Sequence, residues 1–292
     1  MHFLVLNIVC WLVFSQTLRY AQHRQARDYV VGAVNYVLAA LISLGALAAL
    51  ALVRAMPPLY PAGALGAACG ASYFGQFLLI LLAYRLAGVG ITTAVASMGL
   101  LVPILVSWRF WGEPMTAWRW GALALLPVAM LLVRPVRRQV SHLSWKADAV
   151  LLLAFLNAGF MSTLHKAVGI YAPAQAGGET FLFFHPQQLA YEAGLFVVAG
   201  ACSVAYALAR RGGCGRVELA LGSVVGVSNV LGTMFSVVGL SIVAAGVFFP
   251  TLTCALVVLS VVVSRLLWNE RVTRRQIAGL ALAICIVVMV NL

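Results

Sequence analysis

Apolar residues in this chain run unbroken for about 18 to 25 positions at a time, the length that carries an α-helix across a hydrocarbon layer. Ten such runs can be marked, near residues 2–19, 30–53, 62–84, 90–110, 118–134, 148–168, 180–208, 217–240, 244–265 and 275–292. Strands of a membrane barrel would instead alternate apolar and polar residues in segments of about ten. The connections are too short to hold a soluble domain. The pattern therefore predicts an all-α integral membrane protein of ten transmembrane helices, with every functional residue inside the bundle. The first run, MHFLVLNIVCWLVFSQTL, has no basic start and no A-x-A site before Arg19, so it is expected as a helix of the mature chain.

Composition agrees: 63% of the 292 residues are hydrophobic and 9% are charged, against roughly a quarter in soluble chains. Hydrocarbon offers backbone amides no partner, which leaves helices as the spanning element. The six cysteines show no CxxC spacing, and all but Cys214 lie in apolar runs, so neither metal nor disulfide is expected. A net charge of +12 changes the picture only through its distribution. Fifteen of the nineteen Lys and Arg residues fall in alternate connections, those after the odd-numbered runs, and the rest, Arg54, Arg109, Arg119 and Lys166, fall elsewhere. The charges are read as topology signals, with no nucleic-acid partner, and they place the odd connections in the cytoplasm and both termini outside.

A second pattern lies over the first. W-x-E-x-x-T occurs at Trp111-Glu113-Thr116 and again at Trp268-Glu270-Thr273, 157 positions on. G-x-x-x-G at Gly66/Gly70 returns at Gly222/Gly226, A-G-V-x-x-x-T at 87–93 returns at 245–251, and Gly121 returns as Gly279. Shared offsets of 156 to 158 residues indicate a duplication, with repeats over 1–140 and 141–292. Each repeat holds five spans, an odd number, so the second must enter the membrane inverted. That plan places a binding site at mid-depth and allows two related conformations. Glu113 and Glu270 are expected as interfacial structural carboxylates, with Thr116 and Thr273 capping the helices that follow; Gln276 completes a capping box for the second.

The stretches AGVGITTAVASMGLLVPILVSWRFWGEPMTAWRWGALAL and AGVFFPTLTCALVVLSVVVSRLLWNERVTRRQIAGLAL resemble the ten-helix, EamA-like branch of the drug/metabolite transporter superfamily, and the resemblance extends over essentially the whole chain. Pro103, Gly112, Glu113 and Gly121 match the pattern that ends a half in that family. In the second half Glu270 and Gly279 match, Asn269 replaces Gly, and Pro250 lies nearer the start of its span. The resemblance implies secondary transport of a small metabolite or drug. It also implies cytoplasmic termini, against the charge distribution.

Within so apolar a bundle, the polar residues at mid-depth are the informative ones. His185, Gln188 and Glu192 fall within about 60° of one another on one helix face. An ionised Glu192 near the middle of its span would cost roughly 2.5 kcal/mol or more, so it is expected to be protonated, paired or wet. Two readings of it stand: a site for a proton or a cationic group with His185 as relay, or a structural hydrogen bond if the helix sits further along. A helix starting at Pro186 would leave His185 in a loop. Asn229 and Thr233 share a face with Ser236, Tyr73 and Gln76 lie beyond Gly66 and Gly70, and Asn157 and His165 occupy the sixth span. These residues are candidates for substrate contact or for interhelical hydrogen bonding alike. Most Trp residues gather near span ends as an interfacial belt.

No GxxxxGK[ST] loop is present, so the expected driver is a gradient, with a coupling proton or ion and no cofactor. The partners are a small-molecule substrate and the lipid bilayer of the inner cell membrane. A lipid flippase would share this architecture. A membrane-embedded transferase using His185 and Glu192 lacks any H-E-x-x-H or G-x-S-x-G support.

Overall fold

A computed structural model describes residues 2–53, 55–87, 89–133, 145–175, 185–211, 213–268 and 273–292. Within them the chain is all-helical: α1 (His2–His23), α2 (Asp28–Val53), α3 (Tyr60–Ala87), α4 (Val89–Met98), α5 (Leu101–Phe110), α6 (Ala117–Val133), α7 (Trp145–Gln175), α8 (Pro186–Ala209), α9 (Arg216–Ile242), α10 (Ala245–Trp268) and α11 (Arg274–Asn291). Eight of these are long and apolar enough to cross a membrane, and Val95–Phe110 and Ala117–Val133 are shorter apolar segments.

Each predicted run is helical where it is described, with two differences. The fourth is broken into α4 and α5 at Gly99-Leu100. Pro103 has no N–H to give the Gly99 carbonyl, and that carbonyl accepts instead from Val102 N at 3.0 Å, one residue short of α-helical spacing. Gly99 also lies where a Cβ would come within 2.8 Å of Ala158 Cβ, so α7 presses on the break. The seventh run was expected from residue 180; residues 180–184 lie outside the described ones, and α8 starts at Pro186 with His185 as N-cap. The ring of Pro fixes φ for a first helical position, where its missing N–H costs nothing.

Packing divides the chain into two compact units, 1–74 with 164–242 and 75–163 with 243–292. Each draws on both sequence repeats.

In the first unit, glycines bring helix backbones together. A Cβ at Gly66 would strike the Tyr191 carbonyl oxygen, one at Gly70 the Leu195 carbonyl, and one at Gly194 the Gly63 carbonyl. α3 and α8 thus cross backbone to backbone. α9 meets α2 likewise: a Cβ at Gly222 would lie 2.6 Å from Val34 Cβ, and one at Gly226 would lie 2.8 Å from the Asn35 carbonyl. The receiving residues are themselves offset by 157, Val34 from Tyr191 and Leu38 from Leu195, so the two G-x-x-x-G contacts are reciprocal.

The second unit shows the same reciprocity between α6 and α11. Gly121 faces Met289 and Gly279 faces Val133. Arg119 Nε, in the first turn of α6, donates to the Val290 carbonyl of α11 at 3.3 Å, and Arg275, in the first turn of α11, donates to the Leu131 carbonyl of α6 at 2.9 Å. Each guanidinium meets carbonyls in the last turn of its neighbour, the negative end of the helix dipole. Ile104, Leu126, Met130, Phe248 and Ile286 are fully buried in this unit's core.

The repeated motif has a structural use. Glu113 Oε2 accepts from Ala245 N at 2.7 Å, capping α10 from outside its own sequence and joining the W-x-E-x-x-T of one repeat to the A-G-V-x-x-x-T of the other. A cap of this kind contributes about 1 kcal/mol. Thr273 and Gln276 form the expected capping box, while Thr116 accepts from Arg119 N alone as a half-cap, at 3.3 Å. Glu270 lies outside the described residues.

Candidate functional site

Many large aliphatic residues are exposed while a set of polar ones is fully buried. Leu41 is 62% exposed, Leu152 56% and Ile284 56%, whereas Asn7, Gln187, Gln188, Glu192 and Thr233 are at 0%. Such a surface suits surrounding hydrocarbon. The buried polar groups then need partners from within.

In the first unit they gather around α8. Gln188 and Glu192 are one turn apart, and Gln188 Nε2 donates to Glu192 Oε1 at 3.2 Å and to the Met234 carbonyl of α9 at 3.1 Å. Both amide hydrogens are thereby used, and both acceptors require nitrogen on that side, which fixes the orientation of the amide. What remains is a set of buried oxygens without a hydrogen-bond partner: Gln188 Oε1, Glu192 Oε2, Thr233 Oγ1 and the Tyr191 hydroxyl.

Aromatic and sulfur groups surround this set. The Tyr73 hydroxyl lies 3.3 Å from His165 Nε2, and Cys69 Sγ lies 3.9 Å from His165 Nδ1. The ring of Tyr73 meets those of Tyr36 and His165 at centroid distances of 6.4 and 6.0 Å, and the ring of His165 meets that of Tyr191 edge-on at 5.7 Å. Tyr73 and Tyr191 both lie within electrostatic reach of the Glu192 carboxyl. α3 contributes Cys69 and Tyr73, α7 His165, α8 Gln188 to Glu192, and α9 Thr233. The close α3–α8 crossing at Gly66 and Gly70 sets this register.

Of the eight residues expected to line a path, Glu192, Gln188, His185, Asn229, Thr233 and Tyr73 lie in this unit. Glu192, Gln188, Thr233 and Tyr73 form the cluster. His185 is the N-cap of α8, accepting from Gln187 N at 3.3 Å. Asn229 donates to Asn35 Oδ1 at 3.1 Å, tying α9 to α2. Gln76 and Asn157 belong to the second unit, where Asn157 Nδ2 donates to Gln76 Oε1 at 3.0 Å.

Some residues were missed or misread. Lys166, expected in a loop, is 5% exposed inside α7, and its Nζ donates to the Leu240 carbonyl in the last turn of α9 at 2.7 Å. The run marked at 148–168 already contains it, but it was counted with the connections because a Lys normally marks a span's edge. Asn35 lies 157 positions before Glu192, the offset of the W-x-E-x-x-T motifs, so that offset could have pointed to it. Asn7, by contrast, was legible as a polar residue of the first run open to either path-lining or packing, and it fastens α1 to α9 by donating to Ser236 Oγ at 2.6 Å and to the Gly232 carbonyl at 3.0 Å.

Beside the cluster, an apolar groove of about 300 Å³ runs between α2 and α8, lined by residues including Val37, Leu41, Phe196 and Val204.

No family model matches the chain. No curated protein matches it either. Among solved structures, one described only as a crystal structure of a protein is similar over 98% of this chain and 94% of its own length, with a TM-score of 0.77 at 14% identity. At that identity the similarity speaks to the fold alone.

Proposed function

We propose that the chain is a ten-span secondary transporter of the inner cell membrane, built as two inverted five-span repeats and akin to the EamA-like drug/metabolite transporters. It moves a small polar or amphipathic solute by alternating access, driven by a gradient. The observation that carries this reading is the buried cluster around Glu192, with its four unpartnered oxygens inside a bundle whose outer faces are aliphatic. Buried polar atoms cost free energy unless something binds them, and ionisable groups inside spans mark ion and substrate paths.

The inverted repeat draws support from the reciprocal contacts of Gly66/Gly70 with α8 and Gly222/Gly226 with α2, and from the exchange of Arg119 and Arg275 between α6 and α11. Reciprocity at a constant sequence offset is what a two-fold relation between repeats produces. Two equivalent packings of one sequence plan supply the two conformations that alternating access needs. The cluster itself is assembled from both repeats, Tyr73 from the first and Glu192 and Thr233 from the second.

The groove between α2 and α8 favours a second reading, a lipid flippase. Phe196, in its wall, is one turn from Glu192, so an acyl chain in the groove would pass beside the cluster. A counterflow screen in proteoliposomes tests both. Vesicles preloaded with unlabelled amino acids, sugars, nucleosides or cationic drugs should accumulate the matching labelled solute. Transfer of labelled lipid between leaflets, with no soluble compound moving, would select the flippase. Product formed from an added precursor, with nothing moving, would replace transport by membrane enzymology.

A further inference from the structure

We infer that Glu192, Gln188 and Thr233 form a binding site for one small monovalent metal cation, Na⁺ in the first instance. As the coupling ion of a carrier, that cation rests on the reading above; as a bound ligand it does not.

Among the described residues the only hydrogen-bond partner of Glu192 is the Gln188 amide, which leaves Oε2 with none and no cation against the carboxylate. Gln188 Oε1 is also unpartnered, and because its nitrogen is held by Glu192 and the Met234 carbonyl, rotating the amide cannot relieve it. Thr233 adjoins Met234 on α9 and so lies at the same level, and its Oγ1, with the Tyr73 hydroxyl nearby, makes no well-formed hydrogen bond. The Tyr191 hydroxyl, on the turn that carries Glu192, has the Cys69 thiol nearby but makes no well-formed hydrogen bond.

The chemistry discriminates among occupants. Gln188 Oε1 and an ionised Glu192 Oε2 are acceptors only. A proton on Glu192 would satisfy one oxygen and leave the amide oxygen unmet. A hard cation takes oxygen ligands of every kind, carboxylate, amide and hydroxyl, and would meet them together. One carboxylate supplies one negative charge, which suits a monovalent ion better than Ca²⁺ or Mg²⁺. Glu192, Gln188 and Thr233 are all 0% exposed, which favours an ion stripped of water over an organic ammonium. Lys166, the nearby buried cation, is bonded to Leu240 O, about 10 Å along α9 from Thr233, and does not take this place.

The test uses the whole purified chain in detergent, in choline-based buffer. Radiolabelled Na⁺ should bind at one per chain, and added Na⁺ should raise the thermal midpoint saturably by a few degrees, with choline inert. Glu192→Gln, which keeps size and the Gln188 contact, should lose both responses. Thr233→Val, which replaces the hydroxyl with a methyl group, should weaken binding by about tenfold or more. Equal stabilisation by Na⁺ and choline in wild type and Glu192→Gln would overturn the inference. So would a response to pH alone that disappears in Glu192→Gln, since the site would then hold a proton. Counterflow in symmetric buffer needs no ion gradient and separates the two readings: solute movement without Na⁺ binding removes the ion and keeps the carrier, while Na⁺ binding without movement of any solute removes the carrier alone.

Discussion

Glu192→Gln should reduce gradient-driven uptake in proteoliposomes to the level of empty vesicles, while the protein is extracted, purified and melts much like the wild type. The substitution preserves shape and the hydrogen bond from Gln188, so packing against α9 is kept. It removes the carboxylate charge that a coupling cation or proton would exchange with in this cluster. Hydrogen bonds involving a charged group contribute about 1.5 to 3 kcal/mol, which corresponds to roughly tenfold to a hundredfold in ion affinity. Coupling fails in addition, because a site that no longer alternates between loaded and empty cannot draw on the gradient. Uptake at wild-type rates in Glu192→Gln would reduce this carboxyl to a structural hydrogen bond.

The second large effect falls on packing. Gly66→Leu should prevent recovery of monodisperse protein, and Gly66→Ala should lower the melting point clearly. A Cβ at Gly66 meets backbone, the Tyr191 carbonyl, and a main chain cannot rotate aside as a side chain can. Overpacking against side chains already costs about 1 to 3 kcal/mol, and here α8 itself would have to withdraw. Gly226→Ala, 2.8 Å from the Asn35 carbonyl, should act in the same direction through α9 and α2. Gly45→Ala is the control, because nothing lies within 4 Å of a Cβ there and the helix gains from the exchange of Gly for Ala. If Gly66→Ala and Gly45→Ala melt alike, the close α3–α8 crossing is not what holds Glu192 in register. Since that crossing positions the carboxyl, whatever Gly66→Ala protein survives should also show impaired uptake.

The long apolar helices were legible in the sequence because unbroken apolar runs of this length favour helices, and the glycine motifs were legible because they mark where backbones touch. Local chemistry also carried the Thr273-Gln276 box. The break at Gly99-Leu100 was less visible, since the residues on either side are apolar and only Pro103 marks it. Lys166 was misplaced because hydropathy treats every Lys as a span edge, whereas this one satisfies a helix C-terminus from inside. His185 could not be assigned to helix or loop until α8 was seen to start at Pro186. The polar stripe of α8 was readable as a stripe, but its partners were not. The unpartnered oxygens of Gln188 and Thr233 arise from the level at which α8 meets α9, and helical periodicity says nothing about that level. The pairing of Asn157 with Gln76 is a tertiary fact of the same sort. Asn35 was within reach, because the 157-residue offset of the W-x-E-x-x-T motifs also leads from Glu192 to it.

Thiol accessibility tests the central claim most directly. Thr233→Cys, placed in a chain whose six native cysteines have been replaced, puts a probe at the heart of the cluster, on a residue buried in this structure. A membrane-impermeant maleimide is then applied to right-side-out and to inverted vesicles. An alternating-access carrier should label from each side, and imposing a gradient or saturating substrate should raise one rate while lowering the other. Labelling from neither side, or from one side only whatever the conditions, would contradict it.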